Sequence, residues 1–229
     1  VNAANWIIKH RLFPDGGFRH DKNDSNGPYL SDTLAMARAM LQLFRVTQQE
    51  KWLIRTINAV DFISLYFKQR GGGFVTHVER QTNSSPKPQI DENISLMRLT
   101  NLLTHYSDMR RHRGMAKHCL RYLCLEEVAT AREDETGILL ADLEYRDKPV
   151  EVTIIGDPHN SITQSLHKAG LRHPIWYKYI RCYQNRQPNL SWHQLHKTDK
   201  PFAFTKMDEY ESNDITNPNN LQQQLLKLM

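Results

Sequence analysis

Residues 5–18 read NWIIKHRLFPDGGF, and residues 61–74 read DFISLYFKQRGGGF. In each stretch a segment of helical character runs into a Gly-Gly-Phe loop, and the two copies stand 56 positions apart. Glycine ends a helix readily because it adopts backbone angles that other residues avoid. The segments that follow also correspond, now at an offset of 60 positions. This internal similarity predicts a mainly α protein built from αα-hairpin repeats.

The apolar residues of the segment after the first loop predict a helix that is buried on a wide face. They recur at helical spacing as two neighbouring stripes: Leu30, Leu34, Ala37, Leu41 and Phe44, then Met36, Met40 and Leu43. Such a width is typical of an inner helix of a layered ring. The next segment has one narrower stripe that includes Leu53 and Val60, so we expect an outer helix there. A third pair of helices is expected around Leu96 and Leu120.

The pattern changes near Pro149, where apolar and polar residues begin to alternate as in a β-strand. We expect a strand over 150–154 and a helix from Pro158 to Lys168 that stops at Gly170. Further strands are expected over 175–183 and 202–204, and a last helix after Asn217-Pro218. The sequence therefore predicts two domains: hairpin repeats over residues 1–147, about three in number, and a small α/β unit with a parallel crossover over residues 148–229.

Composition is that of an ordinary globular protein, with 39% hydrophobic residues, 24% charged residues and a formal net charge of +5. The basic residues are dispersed apart from the cluster Arg110–Arg113, so we expect no nucleic-acid partner. The three cysteines form no pair with disulfide, redox or metal-ligand spacing, and we expect no metal and no cofactor. Free thiols and the lack of a long apolar run predict a cytoplasmic protein that does not enter a membrane.

Three short motifs resemble a known family: residues 17–21, GFRHD; residues 27–33, GPYLSDT; and residues 91–93, DEN. The chain resembles the C-terminal part of the thioredoxin-domain-containing, spermatogenesis-associated-like proteins over nearly its whole length. That resemblance implies part of an (α/α)6 toroid similar to the folds of N-acylglucosamine 2-epimerase and the six-hairpin glycosidases. The thioredoxin domain is absent from this sequence, so no redox function carries over.

The resemblance also implies that the chain is incomplete. Six hairpins of this repeat length would need about 340 residues, and roughly 148 precede the α/β unit. The sequence opens on Val1 at the edge of an expected helix, and we interpret it as a fragment holding roughly half a ring. An open edge predicts exposed apolar surface, and a homo-oligomer or a companion chain to cover it. The residues expected to border that surface are Trp6, Ile7, Ile8, Met36 and Met40.

Toroids that act on sugars carry acids, bases and aromatic residues on the loops and inner-helix ends that face the ring. The candidate catalytic residues in such places are His20, Asp32, Asp91 and Glu92. The candidate substrate-binding residues are Arg19, Asp21, Tyr29, His77 and Asn93. A carboxylate with a histidine nearby can exchange a proton next to a sugar carbonyl, and a carboxylate pair can cleave a glycosidic bond. The predicted ligand is therefore a small sugar, bound by an epimerase-, isomerase- or glycosidase-like pocket.

Other interpretations of the same residues stay open. Asp32 with Ser31, and Asp91 with Asn93, stand where helix N-caps are expected, so they can stabilise helix ends without any catalysis. The chain can equally be a non-catalytic scaffold that binds a partner on the concave face of its repeats. A third alternative is a piece of a longer protein whose ring another segment completes.

Overall fold

The structure, a computed structural model, describes residues 1–24, 27–78, 85–132, 134–184 and 200–229. It divides into two compact units, Val1–Asp147 and Lys148–Met229. The first unit is helical, and the second carries a small mixed sheet. No helix in these described ranges has both the length and the apolar character needed to cross a bilayer.

The described helices of the first unit are joined by short turns or by longer loops. In chain order they are α1 (Asn2–Arg11), α2 (Leu30–Thr47), α3 (Glu50–Tyr66), α4 (Ile90–Ser107), α5 (Arg110–Leu123), α6 (Glu126–Ala129) and α7 (Thr136–Arg146). α2 packs on α3 and α4 packs on α5, each pair forming one hairpin. α2 also packs on α4, and α7 packs on α4 and α5. Two of the roughly three predicted hairpins, α2–α3 and α4–α5, are therefore formed in the described part of the first unit.

The two hairpins turn in the same way. α2 and α4 are both 18 residues long, and each ends at a residue with left-handed backbone angles. Gln48 has φ 54° and Asp108 has φ 58°, and they stand 60 positions apart. The backbone N–H of each donates to the carbonyl four residues earlier and satisfies one end of the helix. The offset of 60 found in the sequence is thus an offset between equivalent structural positions.

The two Gly-Gly-Phe loops also share an equivalent backbone hydrogen bond. Phe13 N–H donates to the Gly17 carbonyl at 2.8 Å, and Gln69 N–H donates to the Gly73 carbonyl at 3.1 Å. The first loop lies so close to α3, and the second so close to α5, that a side chain on the loop has no room. A Cβ atom on Gly17 would lie 2.3 Å from the Phe62 ring, and one on Gly73 would lie 2.8 Å from Cβ of Tyr122. The glycines therefore allow the loop backbone to approach α3 and α5.

The first predicted apolar stripe of α2 is buried, whereas Met36 and Leu43 of the second are half-buried. All of Leu30, Leu34, Ala37, Leu41 and Phe44 on α2 belong to the core. Met40 is fully buried as well, so the expectation that it borders an exposed surface is wrong; it packs inside the hairpin layer. Trp6 on α1 is 54% exposed, whereas Ile7, Ile8 and Met36 are half-buried.

The second unit has a four-stranded sheet in the order β2-β1-β3-β4. Its elements are β1 (Val150–Ile155), α8 (Ser161–Arg172), β2 (Lys178–Tyr183), β3 (Phe202–Met207), β4 (Tyr210–Glu211) and α9 (Pro218–Leu226). β1 pairs with β2 in parallel and with β3 antiparallel. The core of the unit joins strand residues such as Val152 and Ile180 to Leu166 of α8 and Leu221 of α9. The predicted strand-helix-strand crossover and the last helix are confirmed.

The bounds of α8 differ from the prediction. The helix begins at Ser161 rather than at Pro158, because the Asn160 side chain caps it by accepting from the Ile162 N–H at 2.8 Å. It does not stop at Gly170 but continues to Arg172. A Cβ atom at Gly170 would lie 3.3 Å from Ile180, so this glycine allows α8 to pack closely on the sheet.

Candidate functional site

Three acidic residues lie on the first turns of α2 and α4. Asp32 is the third residue of α2, and Asp91 and Glu92 are the second and third residues of α4. Neither helix has a side-chain cap: Tyr29 and Gln89 occupy the N-cap positions. The interpretation of Asp32 and Asp91 as N-caps is therefore wrong, although both carboxylates still lie next to the positive ends of their helices.

α2 and α4 each hold the preceding Gly-Gly-Phe loop by one polar side chain, on the fourth residue of the helix. Thr33 Oγ1 accepts from the Phe18 N–H at 3.0 Å. Sixty positions later, Asn93 Oδ1 accepts from the Phe74 N–H at 2.8 Å. Asn93 Nδ2 also donates to the carbonyl oxygens of Phe74 and Gln89, and its side chain is fully buried. This geometry gives Asn93 the structural role of fixing the loop to α4 and leaves it no free polar atom for a substrate.

His20 is paired with Asp32. Its Nδ1 lies 3.2 Å and 3.3 Å from the two carboxylate oxygens of Asp32, and its ring meets Tyr29 edge-on at 6.0 Å between centroids. Tyr29 forms an isolated β-bridge with His77, whose Nδ1 lies 2.9 Å from the Thr76 hydroxyl. The loop before α2 and the segment after Phe74 therefore bring His20, Tyr29 and His77 to the N-terminal end of α2.

Glu92 is the chemically distinctive member of the group. Its Oε2 is buried, and it has no hydrogen-bond partner among the residues that the structure describes. Burial, followed by the negative charges of Asp91 and Asp32, raises the pKa of Glu92 to about 7. Because the negative charge of Asp32 on α2 contributes to this shift, the first turns of α2 and α4 form one electrostatic group. Glu92 can hold or release a proton near neutral pH.

Asp91 is engaged by an arginine from a distant part of the first unit. Arg132, between α6 and α7, places Nη1 2.6 Å from Asp91 Oδ1. The same Nη1 lies 3.9 Å from Glu135 Oε2. Arg132 was not among the residues predicted for the site, since 41 positions separate it from Asp91 and no sequence spacing relates the two.

The described contacts of Arg19 and Asp21 lie within the segment between α1 and α2. The Arg19 guanidinium lies over the Phe13 ring at 4.8 Å from the centroid. Asp21 Oδ1 accepts from the Asn23 N–H at 2.6 Å. Both side chains are exposed. Neither residue makes a described contact with the acidic group, so their part in ligand binding stays a prediction.

The described ranges contain no group of three or more His, Cys, Asp or Glu side chains that could hold a metal ion. The described residues of the site are instead suited to proton transfer. A carboxyl group that titrates near pH 7 lies near a second carboxylate held by a histidine, with Tyr29 as an aromatic neighbour. This combination suits general acid–base catalysis.

Comparison with known proteins assigns the chain to no family. No family model matches the sequence, and a search of curated proteins returned no match.

Proposed function

We propose that this protein handles carbohydrates by general acid–base catalysis at the N-terminal ends of α2 and α4. The observation that carries the proposal is Glu92, a half-buried carboxyl group with a pKa of about 7 beside Asp32 and Asp91. A carboxylic acid that is partly protonated at neutral pH can donate a proton and then take one back. Surface carboxylates with ordinary pKa values hold too few protons for that role.

In the proposed site Glu92 is the acid and Asp32 is the second carboxylate. In a glycosidase-like reaction Glu92 protonates the oxygen of the departing sugar while Asp32 attacks the sugar carbon or activates water. In an epimerase-like reaction one group removes a proton from the carbon next to a carbonyl, and the other returns a proton to the opposite face. His20 orients Asp32, and Tyr29 offers an aromatic surface for the apolar face of a sugar ring.

We also propose that the helical unit belongs to an (α/α)6-type toroid and that the chain is a member of the thioredoxin-domain-containing, spermatogenesis-associated-like proteins. Equal hairpin turns and equal loop hydrogen bonds in successive repeats support a repeated ring element. The motifs at 17–21, 27–33 and 91–93 support the family. A homo-oligomer or a companion chain that completes the ring remains part of this proposal.

The first test is activity on two substrate sets. Aryl glycosides report bond cleavage, and free sugars in deuterated water report proton exchange next to the carbonyl by NMR. Glu92→Gln and Asp32→Asn should each lower the rate by about a hundredfold or more, the usual contribution of a positioned acid or base.

The matched control is Asp142→Asn, which removes an acid that pairs with Arg146 on α7 at 2.6 Å. This variant should keep full activity. Equal rates in Glu92→Gln and in the unchanged protein would contradict the proposal. An unchanged protein that acts on neither substrate set would favour the non-catalytic scaffold.

A further inference from the structure

The strongest further candidate is the connection between α6 and α7, which reaches the acidic group through Arg132. This arginine lies on neither α2 nor α4, the two helices that carry the acids. Its guanidinium nevertheless contacts Asp91, the direct chain neighbour of Glu92, at 2.6 Å. A cation at that distance cancels much of the field of the carboxylate that it contacts.

We propose that Arg132 is a positioning residue that, by holding and neutralising Asp91, controls how firmly the Glu92 carboxyl group keeps its proton. The inference deepens the acid–base role proposed above, because it concerns the regulation of the same site. It rests first on geometry: the ion pair, the adjacency of Asp91 and Glu92 on one helical turn, and the buried Oε2 of Glu92.

Two charged groups act on Glu92: Asp91 on its own helix and Asp32 on α2, which is paired with His20. The α6–α7 connection supplies Arg132, which contacts Asp91, together with Asp134 and Glu135, whose negative charges act on Arg132. Arg132 is the cation among these that contacts Asp91. Asp91 and Asp32 both raise the pKa of Glu92. Withdrawal of Arg132 would leave the charge of Asp91 uncompensated and would raise that pKa further.

The contact of Arg132 with Asp91 is open to solvent, with side-chain exposures of 47% and 63%. Salt therefore screens it, and its effect on Glu92 should be larger at low than at high ionic strength.

The test is a direct titration of Glu92 in the full chain. Glutamate labelled with 13C at Cδ reports each carboxyl group by NMR, and Glu92→Gln assigns the Glu92 signal. Arg132→Gln should raise the pKa of Glu92 by about 0.5 at low salt. Arg132→Lys keeps the positive charge and should restore a value close to that of the unchanged protein. Asp91→Asn should lower the pKa of Glu92.

The decisive variant combines Asp91→Asn with Arg132→Gln, because the arginine is proposed to act through Asp91. In that background the loss of Arg132 should no longer raise the pKa of Glu92. Arg146→Gln, which breaks the exposed Arg146–Asp142 pair on α7, is the matched control and should leave Glu92 unchanged.

A Glu92 signal that does not respond to Arg132→Gln would overturn the inference. So would an equal response in the Asp91→Asn background, or an Arg132→Lys variant that behaves like Arg132→Gln. The titration needs no substrate. If the protein has no sugar activity but the pKa of Glu92 still responds to Arg132→Gln, the proposed reaction is contradicted and the proposed role of Arg132 is supported.

Discussion

At the scale of single residues, Asp32 and Glu92 occupy equivalent positions of two repeats but meet different surroundings. The carboxylate of Asp32 is held by His20. Glu92 has a buried Oε2 with no partner in the described part of the chain, and it lies beside two other acids. Equivalent positions in a repeat thus provide one carboxylate that is hydrogen-bonded and one whose pKa is raised. Such a pair of unequal environments is how proteins assign acid and base roles to similar side chains.

The raised pKa of Glu92 has a consequence for stability that does not depend on any reaction. A folded pKa of about 7, above the value of 4.5 for a free side chain, means that the folded protein binds a proton more tightly than the unfolded chain. The stabilisation is complete below about pH 4.5 and is lost as the pH rises through 7. Glu92→Gln, which stays neutral, should therefore gain stability relative to the unchanged protein at pH 8 but not at pH 4.

We expect a gain of about 1 kcal/mol at pH 8, less than the full shift implies because Glu92 is only partly buried and solvent screens its charge. Urea unfolding of the two proteins at both pH values measures it. His112, whose pKa burial lowers to about 4, titrates in both proteins, so its effect cancels in the difference. If Glu92→Gln raises the free energy of unfolding equally at pH 4 and at pH 8, the raised pKa of Glu92 is contradicted.

At the scale of elements, the same type of helix–helix turn occurs in both hairpins. Gln48 and Asp108 both adopt left-handed backbone angles, at the turns from α2 to α3 and from α4 to α5. A residue with a Cβ atom is strained there, by roughly 1 kcal/mol, whereas glycine is not. Gln48 recovers part of that cost because its side chain donates to the carbonyl oxygen of Arg45 at 3.0 Å.

Asp108→Gly should therefore stabilise the protein by roughly 0.5–1 kcal/mol, since it relieves the left-handed backbone strain. Asp108→Ala is the control, because alanine keeps a Cβ atom at the same angles and should bring no such gain. Thermal unfolding followed by circular dichroism measures both variants. An equal gain from alanine would show that loss of the aspartate charge, rather than backbone strain, is responsible.

The elements that the sequence predicted well are those set by local chemistry. Alternating residues at 150–154 form a strand, and Gly-Gly-Phe loops separate the repeated helices. The helix starts were harder to predict because backbone groups from elsewhere replace local caps. The Leu30 N–H donates to the Thr76 carbonyl at 2.8 Å, across 46 positions. No local pattern can reveal that bond, nor the contact of Arg132 with Asp91.

The candidate site could be predicted in part, because a repeat pattern shows which residues occupy equivalent positions. The offset of 60 correctly relates Asp32 to Glu92, because equivalent repeat positions lie at equivalent helix ends. The same offset relates Thr33 to Asn93, and this pair proved to anchor loops. A repeat pattern identifies equivalent positions but does not separate those that bind a loop from those left with a free carboxyl group.

At the scale of the whole molecule, the chain joins a unit of repeated hairpins to a unit with a sheet, and each has its own buried residues. In the second unit, apolar residues of β1, β2 and β3 pack with α8 and α9 in one cluster. The strand order places β1 between a parallel and an antiparallel neighbour, so the backbone of the central strand is paired on both edges. A unit that folds independently needs its own apolar core and a central strand whose backbone hydrogen bonds are made within the unit.

We therefore expect residues 148–229 to fold when expressed alone. Their length lies above the range in which single domains need disulfides or metals. The measurement is circular dichroism with heating, which should show mixed helix and strand signals and one cooperative transition. Val152→Ala is a graded control: it removes buried methyl groups from the central strand and should lower stability by roughly 1–3 kcal/mol without loss of the fold. A piece that melts without cooperativity, or in which Val152→Ala changes nothing, would mean that this core does not sustain itself and that the second unit depends on the rest of the chain.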